Sequence, residues 1–427
     1  MNILFIHQNF PGQFKFLGPA LVNQAHQVRA LTMQQSAPEQ IDGVQVTRYT
    51  NSRGTSPNIH PWVSDFETKV IRAQACFEAC EKLKSEGFIP DLVVAHHGWG
   101  ESMFVKDVWP DAKLALYCEF YYHAQGADVG FDKEFIDQDA SYRCKIRLKN
   151  VNNLLHFEIA DSAISPTKWQ ASTFPETFRS KIQVIHDGID TQVVLPNGQV
   201  KVTLVVSDLL SLNLTRDDEV ITFVNRNLEP LRGFHVFMRA LPALLKKRPK
   251  ARVVIVGGDG VSYGSKPSGS KGMPATWKDL FIKEVRPHIS DADWQRVHFL
   301  GNVPYEHYLA LMQLSSVHVY LTYPFVLSWS LLEAMSAGCA IVASDTQPVR
   351  EVIRHKETGM LVDFFDSDAI SKAICDLLDE PEIRRKMGAL ARQFIVENYD
   401  LRSICLPKQI EWIGKLLDIK SKLTLWH

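Results

Sequence analysis

Short apolar runs recur along the chain, each closed by turn residues and followed by a stretch with helical periodicity. The densest case lies between Val317 and Glu351. Val317 to Leu321 is a β-branched, apolar run ended by Thr322-Tyr323-Pro324. Ser328 to Ala337 carries Leu331, Leu332 and Met335 at helical spacing, and Gly338 stands where a helix end takes a left-handed residue. Cys339 to Ala343 is the next strand, with Ser344-Asp345-Thr346 as the loop after it. This is a βαβ unit, which parallel sheets require and which gathers loops and helix N-termini at one sheet edge. Glu333 interrupts its pattern as a carboxylate early in an apolar helix. It lies on a solvated face or meets a ligand, and its apolar neighbours favour the ligand, because buried charges take partners.

The same alternation starts the chain. Ile3 to Ile6 predicts a strand that runs into His7-Gln8-Asn9-Phe10-Pro11-Gly12-Gln13 and a helix from about Phe14 to Gln24. Such a turn opens a helix N-terminus to an anion, although with Gly12 as its one glycine it is no dinucleotide fingerprint; the alternative is a plain strand-to-helix connection. Val28 to Thr32 and Val44 to Tyr49 are further strands, and Asp65 to Leu83 is an amphipathic helix with Phe66, Val70, Ala73, Phe77 and Cys80 on its core face. Leu92 to Ala95 ends in His96-His97-Gly98-Trp99-Gly100-Glu101, a cluster placed where open sheets hold ligands, or else a helix start with Glu101 near its N-terminus. Lys113 to Cys118 is followed by Glu119-Phe120-Tyr121-Tyr122-His123. Asp139 to Phe157 reads as one long helix carrying Arg143, Lys145, Arg147 and Lys149. That is a solvated basic face, or a contact with an anionic acceptor or the periphery of a membrane. Ile182 to Ile185 closes on His186-Asp187-Gly188-Ile189-Asp190.

Gln192 to Asp218 is a boundary, with Pro196-Asn197-Gly198 predicting a small hairpin between Val193 and Val202. From Glu219 a second series of strands and helices begins. Arg226 and Arg232 flank the turn after its first strand, a phosphate site or a common surface pattern. Arg252 to Val256 leads into a Gly-, Ser-, Lys- and Pro-rich loop through Thr276, either a lid or an insertion. Val297 to Leu300 ends in Gly301-Asn302-Val303-Pro304 before a helix from Tyr305. Gly359 to Val362 is the last strand. Helices over Asp366 to Leu378, Pro381 to Asn398 and about Ile404 to Leu417 complete the chain.

Composition narrows the classes. A chain of 427 residues exceeds one ordinary domain. Near-balanced charge, 47 basic against 48 acidic side chains, argues against wholesale nucleic-acid binding. Cys76 and Cys80 stand four apart on a helix, but the other five cysteines do not complete a zinc set, so reduced core thiols in a cytoplasmic protein are expected. No run reaches transmembrane length, and the N-terminal apolar run is too short for a signal peptide.

Leu332-Glu333-Ala334-Met335-Ser336-Ala337-Gly338, with the strand and Ser344 after it, resembles the donor segment of family 4 glycosyltransferases. Arg226 with Arg232 six residues on, and Gly188-Ile189-Asp190, extend the resemblance over nearly the whole chain. It implies an α/β GT-B fold: two Rossmann-like doubly wound domains facing across a cleft. These are an acceptor domain over 1–191, a linker or hairpin over 192–218, a donor domain over 219–398, and a C-terminal helix over 399–427 returning to the first domain. The implied reaction is metal-independent transfer of a sugar, with retention of configuration, from a UDP- or GDP-linked donor to a saccharide or lipid-linked acceptor. No other cofactor is implied, and the setting is the cytoplasm or the inner membrane face. Donor contacts fall on Gly12, Arg226, Arg232, Asn302, Val303, Ser328, Ser330 and Glu333, with Glu333 on the ribose and the two arginines on the diphosphate. Catalytic candidates are Glu119, His96 and His123, with Glu119 where the family often has a histidine. Phe325 stands where the family has a sugar-binding glutamate, eight residues before Glu333. The alternatives are a nucleotide-sugar epimerase or hydrolase on the same fold, and a non-catalytic carbohydrate-binding subunit.

Overall fold

The computed structural model describes residues 1–135, 141–207, 210–267 and 275–424. The chain forms two compact units: Met1–Gly188 with the chain from Leu401 on, and Ile189–Asp400.

The first unit holds β1 (Asn2–Ile6), β2 (Gln27–Thr32), β3 (Gln40–Ile41), β4 (Val44–Arg48), β5 (Leu92–His96), β6 (Lys113–Tyr117), β7 (Ser162–Ser165) and β8 (Ile182–Val184). Their order is β3-β4-β2-β1-β5-β6-β7-β8, with neighbours parallel apart from β3 against β4. Strand alternation sends Ile3 and Phe5 to one face and Leu4 and Ile6 to the other. Ile3 and Phe5 pack with Phe14, Leu17 and Leu21, and with Trp412 and Ile413 of the helix Leu406–Thr424. Trp412 Nε1 also donates to Ser162 Oγ at 2.9 Å, so this last helix is built into the first unit. On the opposite face the helix Ser64–Ser85 contributes Ala75, Cys76, Cys80 and Leu83, whereas Phe66 and Val70 of the expected core face stay half-exposed.

The expected long helix is two: Tyr142–Lys149 and Val151–Ile159. They meet at Asn150, whose side chain accepts from the Tyr122 N–H at 3.0 Å and donates to the Tyr122 carbonyl at 2.7 Å. The predicted start at Asp139 lies outside the described residues. Of its basic cluster, Arg143 and Arg147 are exposed, whereas the Lys149 ammonium lies 3.7 Å from the Tyr122 ring centre.

The second unit holds a hairpin, β9 (Lys201–Ser207) and β10 (Leu210–Thr215), and six parallel strands. These are β11 (Val220–Asn227), β12 (Arg252–Gly258), β13 (Val297–Phe299), β14 (Val317–Tyr320), β15 (Ala340–Ser344) and β16 (Met360–Val362), ordered β13-β12-β11-β14-β15-β16. The hairpin is displaced from its expected place. Pro196-Asn197-Gly198 makes a local turn, with Asn197 Oδ1 accepting from Gln199 N–H at 2.9 Å, and the paired strands follow it. Val194, Leu204 and Leu214 are buried in the second unit's core, so the presumed linker is part of that unit. Among the described residues no helix is long and apolar enough to cross a membrane.

Candidate functional site

In the second unit a cavity of about 490 Å³ opens at the C-terminal ends of β11 and β12 and at the starts of the helices after β13 and β14. It gathers Arg226, Arg232, Asn302, Val303, Ser328, Ser330 and Glu333, seven of the eight expected donor contacts. Topology explains the convergence, since parallel strands deliver their following turns to one edge. Glu333 sits in the second turn of the helix Trp329–Ser336, half-buried. Two phenols fix its carboxylate: Tyr305 OH donates to Oε1 at 2.8 Å and Tyr308 OH to Oε2 at 2.9 Å. Burial and the Glu333 charge raise the Tyr308 phenol well above its usual pKa, so it stays a donor. A carboxylate can accept from several donors at once.

The two arginines differ. Arg232 is 7% exposed and is anchored through Nη1, which donates to Thr322 Oγ1 at 2.8 Å, the Val326 carbonyl at 3.2 Å and Tyr320 OH at 3.3 Å. Arg226 is exposed and makes no hydrogen bond or ion pair among the described residues, which leaves its whole fork for an anion. Ser328 caps its helix, its hydroxyl accepting from Ser330 N–H at 3.3 Å. Phe325 is 3% exposed and does not line the cavity. Its ring packs against Tyr263 at 4.9 Å between centroids.

Sequence reasoning missed Glu229, Tyr263, Tyr305 and Tyr308, all of which line the cavity. Tyr305 and Tyr308 stand three apart on the helix Tyr305–Leu314, a spacing that puts both on one face and was a usable signal. Glu229 is 1% exposed, and its carboxylate accepts from the backbone N–H groups of Ser262, Tyr263 and Gly264 at 3.2–3.4 Å. Nothing local in the sequence announces that pairing.

In the first unit a second cluster forms at the ends of the adjacent strands β1, β5 and β6. His96 lies between Trp99, stacked at 4.0 Å, and Tyr117, at 5.4 Å. Its Nε2 is 3.7 Å from Glu119 Oε2, and both ring nitrogens are buried without a hydrogen bond among the described residues. His7, which sequence reasoning passed over, follows β1 directly, and its ring is 5.4 Å from that of His96. The His7 Nδ1 accepts from Asn9 N–H at 3.0 Å, so Nε2 donates to Gln13 Oε1 at 2.7 Å. Burial and the neighbouring His96 lower its pKa to about 3, which keeps it neutral. Gly12 has φ +46°, and a Cβ there would fall 2.2 Å from the His7 ring, so glycine is required. It belongs to this cluster of the first unit. His123 has its Nε2 on the Thr173 carbonyl at 2.6 Å. His97 is held between the Tyr117 carbonyl and Asn153 Oδ1 at 3.1 and 2.8 Å. Glu101 is 1% exposed with both oxygens unpartnered among the described residues, and burial pushes its pKa up to about 7.

Two Rossmann-like units, one with a cavity built from arginines, serines and a phenol-clamped carboxylate, define an α/β protein suited to a nucleotide-like anion. Family models agree: one described as glycosyl transferase family 4 group matches residues 24–194, and one described as glycosyl transferases group 1 matches residues 211–394. The chain belongs to the family 4 glycosyltransferases. It is 26% identical over 243 residues to D-inositol 3-phosphate glycosyltransferase of Streptomyces scabiei, covering 54% of this chain and 49% of that protein. To phosphatidyl-myo-inositol mannosyltransferase of Mycolicibacterium smegmatis it is 29% identical over 213 residues, 49% of this chain and 48% of that one. The matches thus span about half the length of these curated relatives. Among solved structures, sucrose-phosphate synthase from Thermosynechococcus elongatus superposes with a TM-score of 0.71 at 16% identity, over 98% of this chain and 99% of that one. Anabaena HepE in complex with UDP-glucose gives 0.65 at 16% identity, over 97% and 99%. The fold is GT-B.

Proposed function

We propose that the protein transfers a glycosyl group from a nucleotide-sugar to a saccharide or lipid-linked acceptor, with retention of anomeric configuration. The observation that carries this is the cavity itself: Arg226 and Arg232 beside the helix start at Ser328, with the clamped Glu333 a turn further along that helix. Its 490 Å³ falls within the usual range for small-molecule sites. In this reading Glu333 accepts from the ribose hydroxyls, the arginines and Ser328 and Ser330 hold the diphosphate, and Asn302 and Val303 border the base. The arginines stabilise the leaving diphosphate without a metal ion. Glu119, with His96 beside it, is the candidate for the charge that develops at the anomeric carbon or on the acceptor hydroxyl. The UDP-glucose complex of HepE supports a UDP-linked donor, and the relatives named for inositol phosphate and phosphatidylinositol support polyol or lipid-linked acceptors. We place the reaction in the cytoplasm, with peripheral contact at the inner membrane face where the acceptor is a lipid.

A calorimetric screen of UDP- and GDP-sugars, followed by incubation with candidate acceptors and product analysis by NMR, tests this. Transfer that survives a chelator and gives the donor's anomeric configuration is expected. Donor hydrolysis or epimerisation without transfer, or an absolute need for Mg²⁺ or Mn²⁺, would overturn it.

A further inference from the structure

One wall of the cavity comes from outside the expected donor segments. Tyr263, on the loop after β12, is 41% exposed and lines the cavity. Its position is built. The buried Glu229 carboxylate collects the N–H groups of Ser262, Tyr263 and Gly264, and Asn227 Nδ2 donates to Ser262 Oγ at 2.8 Å. Glu229 and Asn227 lie in the turn between Arg226 and Arg232, so the loop is tied to the segment assigned to the phosphates. The Tyr263 ring packs on Phe325 and lies 5.5 Å from the Arg232 guanidinium. These neighbours place it near the start of the helix Trp329–Ser336, whereas Glu333 lies further along that helix.

We propose that Tyr263, fixed by Glu229, is the specificity-determining wall for the transferred sugar. The inference rests on the donor reading above: with Glu333 on the ribose and the arginines on the diphosphate, the surface beyond Arg232 meets the group on the second phosphate. That surface is an aromatic ring backed by Phe325, in place of a carboxylate that would accept from sugar hydroxyls. An aromatic face receives the C–H groups of a pyranose, so the substrate class is a pyranosyl donor with one face clear of axial hydroxyls. Glu229 acts as a positioning residue through the loop backbone.

Calorimetry with UDP, UDP-glucose, GDP and GDP-mannose on the full chain decides it. Tyr263→Ala is expected to weaken the bound nucleotide-sugar about tenfold and to leave the matching nucleoside diphosphate within twofold. Tyr263→Phe should keep wild-type affinity for both. Glu229→Gln should reproduce the sugar-selective loss in part, with the nucleoside diphosphate again unchanged. Equal loss on sugar and nucleoside diphosphate, or no loss on either, in Tyr263→Ala would overturn the assignment while leaving the donor reading standing. A wild-type protein that binds none of the four ligands would refute the donor reading and this wall with it.

Discussion

Replacing Glu333 by glutamine tests the site at its most constrained point. In the wild type each carboxylate oxygen already accepts one phenol, from Tyr305 and Tyr308, and Glu333 lines the cavity. Glutamine keeps the size but turns one oxygen into an amide donor. One phenol then loses its acceptor, and one ligand hydroxyl meets N–H instead of oxygen. Hydrogen bonds to a charged group contribute about 1.5–3 kcal/mol, so nucleoside diphosphate affinity should fall roughly 10- to 100-fold. The orphaned phenol adds a stability cost of about 1 kcal/mol, a Tm drop of about 2–4 °C for a unit of this size. The assay is titration calorimetry with UDP and GDP, and with pyrophosphate as a ligand that lacks ribose. Pyrophosphate should bind wild type and variant alike. If Glu333→Gln bound the nucleoside diphosphate as tightly as wild type, or lost pyrophosphate to the same extent, the ribose assignment would be wrong. Tyr308→Phe completes the logic. It frees Oε2 without removing charge, and a double-mutant cycle with Glu333→Gln should show coupling between the two.

Arg226→Ala should weaken diphosphate binding by about 1–3 kcal/mol with Tm unchanged, because that side chain is exposed and holds nothing else. Arg232→Ala should lower both affinity and Tm, since Thr322, Val326 and Tyr320 lose their shared donor; equal thermal stability of the two variants would contradict the anchoring. Glu119→Gln should reduce kcat on the order of 100-fold or more while donor affinity stays constant, and an unchanged kcat would remove Glu119 from the chemistry. Glu101 titrates near 7 when folded against an ordinary 4.5, so between those pH values the folded state holds a proton that the unfolded state has released. Stability contributed by this group is therefore full below about pH 4.5, declines as pH rises to about 7, and then levels, a span of ~3 kcal/mol. Urea unfolding at pH 5 and pH 8 should show that span in the stability difference between wild type and Glu101→Gln, the buried neutral histidines being common to both; a difference that does not change with pH would refute the burial argument.

What the sequence disclosed and what it hid have separate physical causes. Strands such as Ile3–Ile6 and Leu92–Ala95 were legible because burial on both faces leaves an unbroken apolar run between turns. Glu333, Arg226 and Arg232 stood out as charges at strand and helix ends, where a parallel sheet collects ligands. The hairpin was misplaced because Pro196-Asn197-Gly198 is the strongest local turn signal. The pairing of β9 with β10 is instead set by burying Leu204 and Leu214 on distant residues. The break at Asn150 has no glycine or proline to mark it, since its cause is a pair of hydrogen bonds to Tyr122, 28 residues away. Glu229 was hidden for the same reason, its partners lying 33–35 residues on. The sequence marks Phe325 as standing in the place of the family's sugar-binding glutamate, but not that its ring is buried against Tyr263, a partner 62 residues earlier.

The first unit is made from both ends of the chain, and this sets the order in which the protein can be completed during synthesis. Ile189–Asp400 is continuous and has all its residues before Trp412 exists. At ~5–20 residues per second, the sheet face carrying Ile3, Phe5 and Val28 waits roughly 10–45 s after Gly188 for its last covering helix. The unit begun first is finished last. In that interval Ile3, Phe5 and Val28 lack the cover of Trp412 and Ile413, and the closing contact of Trp412 with Ser162 ends it.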